Sequence, residues 1–103
     1  MSEGGISGTA IQVTTGYNPL GFLLAAFKTR VGIDGQLHEL PWGTNTFPVQ
    51  PGRHHVRVSF KYVLPKDAGA NDVDVDVVLG QTVKIRYRAP MLVFMKGKLT
   101  VGP

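Results

Sequence analysis

Arg53-His54-His55-Val56-Arg57-Val58-Ser59-Phe60-Lys61-Tyr62-Val63-Leu64 is the stretch on which the fold class turns. Val56, Val58, Phe60, Tyr62 and Leu64 share one face, and His55, Arg57, Ser59 and Lys61 share the other. A period of two marks a strand with one side buried and one side in water. The same alternation returns downstream. Val73, Val75 and Val77 alternate with Asp72, Asp74 and Asp76 over Asp72–Leu79, and Val83, Ile85 and Tyr87 alternate with Lys84, Arg86 and Arg88 over Thr82–Arg88. Gly80 lies between the two runs and supplies a residue free to take a positive φ.

Folded as a hairpin about Gly80, these runs set Asp76 against Lys84, Asp74 against Arg86 and Asp72 against Arg88, with the apolar residues stacked on the opposite face. A slip of one residue turns the valines outward, so pattern and charge favour one register. Shorter strands are expected at Thr9–Thr15, Lys28–Asp34 and Thr44–Val49, each bounded by Gly, Pro or Asn. A terminal strand is expected over Met91–Val101, broken or bulged near Gly97. Pro65–Asn71 is the longest polar loop and the best candidate for mobility.

One segment is open to two readings. Asn18-Pro19 offers an N-cap and a first-turn proline, and Leu20, Leu23, Leu24 and Phe27 follow at helical spacing. Gly21 weakens that helix, and the run reads equally well as an apolar strand. The expected fold is therefore an all-β, single small antiparallel β-sandwich of about six or seven strands, with a short helix near residues 19–28 as the open alternative.

The chain has 103 residues, 43% hydrophobic and 17% charged positions, a formal charge of +4 and no cysteine. Such a length suits one domain, expected over residues 9–103 behind a flexible tail at 1–8. Without cysteine, a disulfide scaffold, thiol catalysis and a zinc–cysteine site are excluded. No secretory signal is visible, and no window approaches the roughly 20 apolar residues of a bilayer span. The expected location is cytoplasmic, with attachment to a membrane surface as the alternative.

Val31-Gly32-Ile33-Asp34-Gly35, Val49-Gln50-Pro51-Gly52-Arg53-His54-His55-Val56-Arg57-Val58 and Leu79-Gly80-Gln81-Thr82-Val83-Lys84-Ile85 resemble, in order and spacing, the turn and strand motifs of a PEGA domain. The resemblance covers about residues 28–88. It implies a small immunoglobulin-like β-sandwich serving as a non-catalytic module in cell-envelope or signalling settings. The chain departs from the pattern at Leu37–Gly43 and at Tyr62–Pro65, and it shows no membrane anchor, which weakens the envelope role. Asn18-Pro19-Leu20 and Tyr87-Arg88-Ala89-Pro90 also resemble segments of a group of small bacterial proteins.

Residues in an arrangement that suggests chemistry are few. His54 and His55 are adjacent on a strand and point to opposite faces, so they cannot readily share one ion, and a site built with His38 needs a carboxylate from elsewhere. Asp72, Asp74 and Asp76 are spaced too widely along a strand for one calcium ion, and no calcium-loop pattern follows. Nucleophile elbows, phosphate-binding loops and zinc-protease motifs are missing. A non-enzymatic protein without metal or cofactor is expected.

The remaining signal is an apolar surplus at two places. Leu20–Phe27 and Met91–Met95 do not alternate, and each is followed by cations, Lys28 with Arg30 and Lys96 with Lys98. The bland reading buries both runs at one edge of the sandwich. The functional reading makes Phe22, Leu23, Phe27, Met91, Phe94 and Met95, with Trp42, Lys96 and Lys98, an interaction surface for a protein partner or a second copy. The alternative is an anionic membrane surface gripped by the same residues. Weak nucleic-acid binding and an unrecognised enzyme come third. Specific nucleic-acid recognition is disfavoured because the hairpin sets three aspartates against Lys84, Arg86 and Arg88, and because no aromatic interleaves with the cations.

Overall fold

The computed structural model describes residues 8–17, 27–61, 68–90 and 95–102. The described residues form eight strands: β1 Ala10–Gly16, β2 Thr29–Ile33, β3 Gln36–Leu40, β4 Gly43–Pro48, β5 Gly52–Phe60, β6 Ala68–Val77, β7 Thr82–Arg88 and β8 Lys98–Gly102. Sheet A has the order β4-β1-β7-β8 and sheet B the order β3-β2-β5-β6. All neighbours are antiparallel except β1 and β7, which run parallel. The chain is thus an all-β sandwich of two four-stranded sheets, as its alternating pattern dictates.

Alternation decides what lies between the sheets. Ile11 and Val13 of β1 and Val83, Ile85 and Tyr87 of β7 face Val31, Ile33, Val56, Val58, Phe60, Val75 and Val77 of sheet B in one buried cluster. Among the described residues, Phe60 is the largest fully buried side chain. The pairing of β5 with β6 shifts register between Val58 and Phe60, and Ser59 is buried despite its place on the polar side of the sequence pattern.

The expected hairpin of Asp72–Leu79 with Thr82–Arg88 does not form. β6 belongs to sheet B and β7 to sheet A, so the chain crosses the sandwich at Val78–Gln81 instead of turning back on itself. Gly80 takes a φ of +80°, the Gln81 N–H donates to the Val78 carbonyl at 3.0 Å, and the Gly80 N–H donates to Thr9 Oγ1 at 2.8 Å. The aspartates pair with the other basic strand: Asp76 lies opposite Arg53, Asp74 opposite His55 and Asp72 opposite Arg57. Two strands with the same alternation of cations and apolar residues competed for β6. Crossing over lets Val75 and Val77 face sheet A from the opposite side of the core, where a hairpin would have set them beside Val83 and Ile85 in one sheet.

The strand count is eight among the described residues, because Gln36–Leu40, read as part of a connection, is an edge strand held only by β2. Its side chains are exposed or half-buried, so it carries no clean alternation to read. Ala68–Asn71, assigned to the polar loop, opens β6, and Ala68 and Gly69 are buried there. β8 starts at Lys98, after the expected break at Gly97. The proposed helix falls mostly on residues 18–26, outside the described residues; Phe27 and Lys28 are not helical. Gly8, assigned to the tail, accepts a hydrogen bond from Thr82 Oγ1 at 3.0 Å.

Candidate interaction surface

The sandwich has two unlike ends. At one end lie Tyr17, Phe27, Pro41-Trp42 and Ala89-Pro90, and the described residues flanking 18–26, 62–67 and 91–94 all sit there. Trp42 packs edge-on against Tyr17 with ring centroids 5.0 Å apart and leans on Phe60 at 5.7 Å. Its Nε1–H donates to the Phe27 carbonyl at 2.7 Å. These contacts make Trp42 a lid on the core, with its one polar atom satisfied from inside the protein, and not a protruding anchor. Phe27 is likewise half-buried. Met95 is 51% exposed, and Lys96 and Lys98 are exposed beside it. Phe22, Leu23, Met91 and Phe94 lie outside the described residues.

The opposite end carries the histidines. Asp34-Gly35 joins β2 to β3 with φ of 51° and 85°, a two-residue turn with both central residues left-handed. The turn aims the Asp34 carboxylate at β5, where Oδ1 accepts the His55 N–H at 2.8 Å and Oδ2 lies 2.5 Å from His54 Nδ1. The other ring nitrogen of His54 is 2.6 Å from the Gln50 carbonyl. The hydrogen bond to Asp34 raises the pKa of His54, and the bonds from His54 and the His55 N–H hold Asp34 below its ordinary value. His55 points to the other face, as adjacent strand residues must, between Asp74 at 2.8 Å and Asp72 at 3.1 Å. A cleft of about 420 Å³ opens here between the edges of the two sheets, lined by Ile33, His38, Phe47 and Val49 with Asp34 and His54 at its mouth. Among the described residues, no group of three or more His, Asp and Glu is arranged to hold a metal ion. No helix among them is long and apolar enough to cross a membrane.

Charge divides between the two sheets. All the described carboxylates, Asp34, Glu39, Asp72, Asp74 and Asp76, belong to sheet B and its turns. Five cations, Lys28, Arg30, Arg53, Arg57 and Lys61, accompany them, so the formal charge of that half cancels. Arg53 meets Asp76 at 3.1 Å and Lys61 meets Glu39 at 3.7 Å. Sheet A holds Lys84, Arg86, Arg88 and Lys98, with Lys96 just before β8, and no described carboxylate. The four cations of the strands are exposed, and none of them meets a carboxylate among the described residues.

Register arranges this face in rows. Thr14, Arg86 and Thr100 stand side by side across β1, β7 and β8; Gly16, Arg88 and Lys98 form the next row, and Gln12, Lys84 and Gly102 the row before. A groove of about 340 Å³ follows the upper two rows, lined by Thr14, Gly16, Tyr17, Arg86, Arg88, Lys98 and Thr100. Sequence reading missed this surface because it assigned three of the cations to the aspartates. The signal was present as two basic strands and only one acidic strand.

Fold and surface together define a small all-β sandwich with a neutral sheet and a basic one. Compared with family models, curated proteins and solved structures, the chain gives no match.

Proposed function

We propose that this chain is a non-enzymatic β-sandwich interaction module that meets an anionic partner on the outer face of sheet A. One observation carries the reading: Lys84, Arg86, Arg88 and Lys98 share an exposed face from which every described carboxylate is absent. Unneutralised cations held at fixed spacing on a sheet repel one another, which a free surface normally relieves by interspersing acids; a bound anion relieves it too. The PEGA-like motifs support a non-catalytic module, since Asp34-Gly35 and Pro51-Gly52 serve as turns of the scaffold.

Retention on a heparin resin tests it. Arg86→Gln/Arg88→Gln/Lys98→Gln is compared with Arg53→Gln/Arg57→Gln/Lys61→Gln, which removes the same charge from sheet B. The sheet A variant is expected to elute at clearly lower salt than both wild type and the sheet B variant. Equal shifts from the two variants would mean that net charge alone governs binding, and the reading would fall.

A second reading has an observation of its own. Met95, half-exposed beside Lys96 and Lys98, supports peripheral contact with an anionic membrane. Flotation with phosphatidylserine vesicles, read on Met95→Ser, tests it: weakened flotation is expected, and unchanged flotation would exclude Met95 as the contact.

A further inference from the structure

Resting on the reading of sheet A as an anion-docking face, we infer that its partner is the sugar-phosphate backbone of a nucleic-acid duplex, bound without regard to sequence. On the same face stand Gln12, Thr14, Thr44, Thr46 and Thr100 and the glycines at 16 and 102, with no large apolar side chain among them. A protein partner is generally gripped through aromatic or aliphatic anchors at the centre of the contact, and a lipid surface through apolar side chains that enter it. Of the exposed apolar residues, Leu37, Val78, Leu79 and Met95 lie outside the strands of this sheet, and Val101, in β8, is level with the core residue Ile85 and so stands on the other side of the sheet from Arg86 and Thr100.

What the face holds is the set of groups that bind phosphate. Half or more of protein–DNA hydrogen bonds go to phosphate and sugar, from Arg, Lys, Thr and Gln among others. Lys84, Arg86 and Arg88 project from alternate positions of one strand, about 6.5–7 Å apart, giving a line of charge and not a single anion cradle. Lys98 extends it sideways next to Arg88, and hydroxyls flank Arg86 on both sides. A linear array fits a linear polyanion, and a duplex offers a charge about every 1.7 Å of its axis.

The same face argues against single strands. Binding of unpaired bases relies on aromatic platforms, and of the two aromatic residues lining the groove, Tyr17 packs edge-on against Trp42 and Tyr87 is buried, with its hydroxyl given to the Gly69 carbonyl. Gln12, Thr14 and Thr100 stand level with the cations in the same rows across the strands, so the face meets the backbone as one layer of phosphate-binding groups.

The test is fluorescence anisotropy with two short DNA duplexes of unrelated sequence, titrated from low to moderate salt. With four phosphate contacts, log K against log salt is expected to fall with a slope of about −3.6, a loss of about 100-fold between roughly 50 and 200 mM. Both duplexes bind alike. Arg86→Gln and Arg88→Gln each flatten the slope by about 1, whereas Arg53→Gln on sheet B leaves it unchanged. Face-dependent heparin retention without duplex binding would overturn this inference and leave the proposed function standing; heparin retention that ignores the face would remove both. Face-dependent binding to phosphatidylserine vesicles or to polyglutamate, with none to the duplexes, would replace the nucleic acid by lipid or by an acidic protein.

Discussion

Asp34 Oδ2 lies 2.5 Å from Nδ1 of His54, tying the β2–β3 turn to the start of β5. The His54 side chain is only 13% exposed, and its second ring nitrogen meets the Gln50 carbonyl, so both nitrogens face oxygen acceptors. A doubly protonated ring satisfies both at once.

This contact makes stability depend on pH from two sides. The folded pKa of His54 is raised, so its contribution is complete below the unfolded value of about 6.5 and is lost as pH rises through the folded value. The folded pKa of Asp34 is lowered, so its contribution is present above the unfolded value of about 3.9 and is lost as pH falls through the folded value. Maximum stability from the pair is expected between about pH 4 and 6.5. Thermal melts across pH should show that Asp34→Asn flattens this dependence and lowers Tm near pH 5.5 by roughly 4–8 °C, the equivalent of about 1 kcal/mol.

The pairing of β6 with β5 is open to a covalent test, because the chain has no cysteine of its own. His55 and Asp74 are Cα partners in the antiparallel register. Opposed residues sit about 4.5–5.5 Å apart, within reach of a disulfide. His55→Cys/Asp74→Cys should oxidise to an intramolecular bridge under native conditions, and Asp74→Cys/Arg86→Cys should not. Rapid bridging of the second pair would restore the hairpin and place β6 in the wrong sheet.

Trp42 offers a separate test of core against interface. With Tyr17 and Phe60 on its ring and its N–H given to Phe27, Trp42→Ala is expected to lower unfolding free energy by about 2–3 kcal/mol, somewhat below the cost at a fully buried site. Its fluorescence should shift to the red on denaturation. A stable Trp42→Ala variant that loses only partner binding would return this residue to the contact surface.

Gly97 is required by its neighbour. A Cβ there would overlap Cε1, Cζ and the hydroxyl of Tyr87, whose OH donates to the buried Gly69 carbonyl at 2.7 Å; the Gly97 N–H donates to the same carbonyl at 2.9 Å. Burial also pushes the pKa of the Tyr87 hydroxyl up, so it stays a donor throughout the accessible pH range. Gly97→Ala should cost about 1–3 kcal/mol in denaturant unfolding. Adding Tyr87→Leu makes room for the methyl, so the double variant should lose less than the two single losses combined.

Much of the scaffold was legible. The alternation over Val56–Phe60 and Val83–Tyr87 names core residues correctly, and Asp34-Gly35 announces its turn, because these depend on neighbours along the chain. β3 was not legible, since an edge strand with no fully buried side chain leaves no periodic trace. Among the candidate contact residues, Trp42 packs on Tyr17 and Phe60 and Phe27 is half-buried, while Met95, Lys96 and Lys98 are exposed.

Local pattern therefore settled most of the strands, the side of the long ones that faces the core, and the all-β character of the described residues. It could not settle which strand lies beside which. Asp72, Asp74 and Asp76 match the cations of β5 as well as those of β7, and hydrogen bonding between strands is blind to side-chain identity. That choice belongs to the packing of two sheets around one core. It is also what leaves Lys84, Arg86 and Arg88 without an acidic strand beside them and gives the protein its basic face.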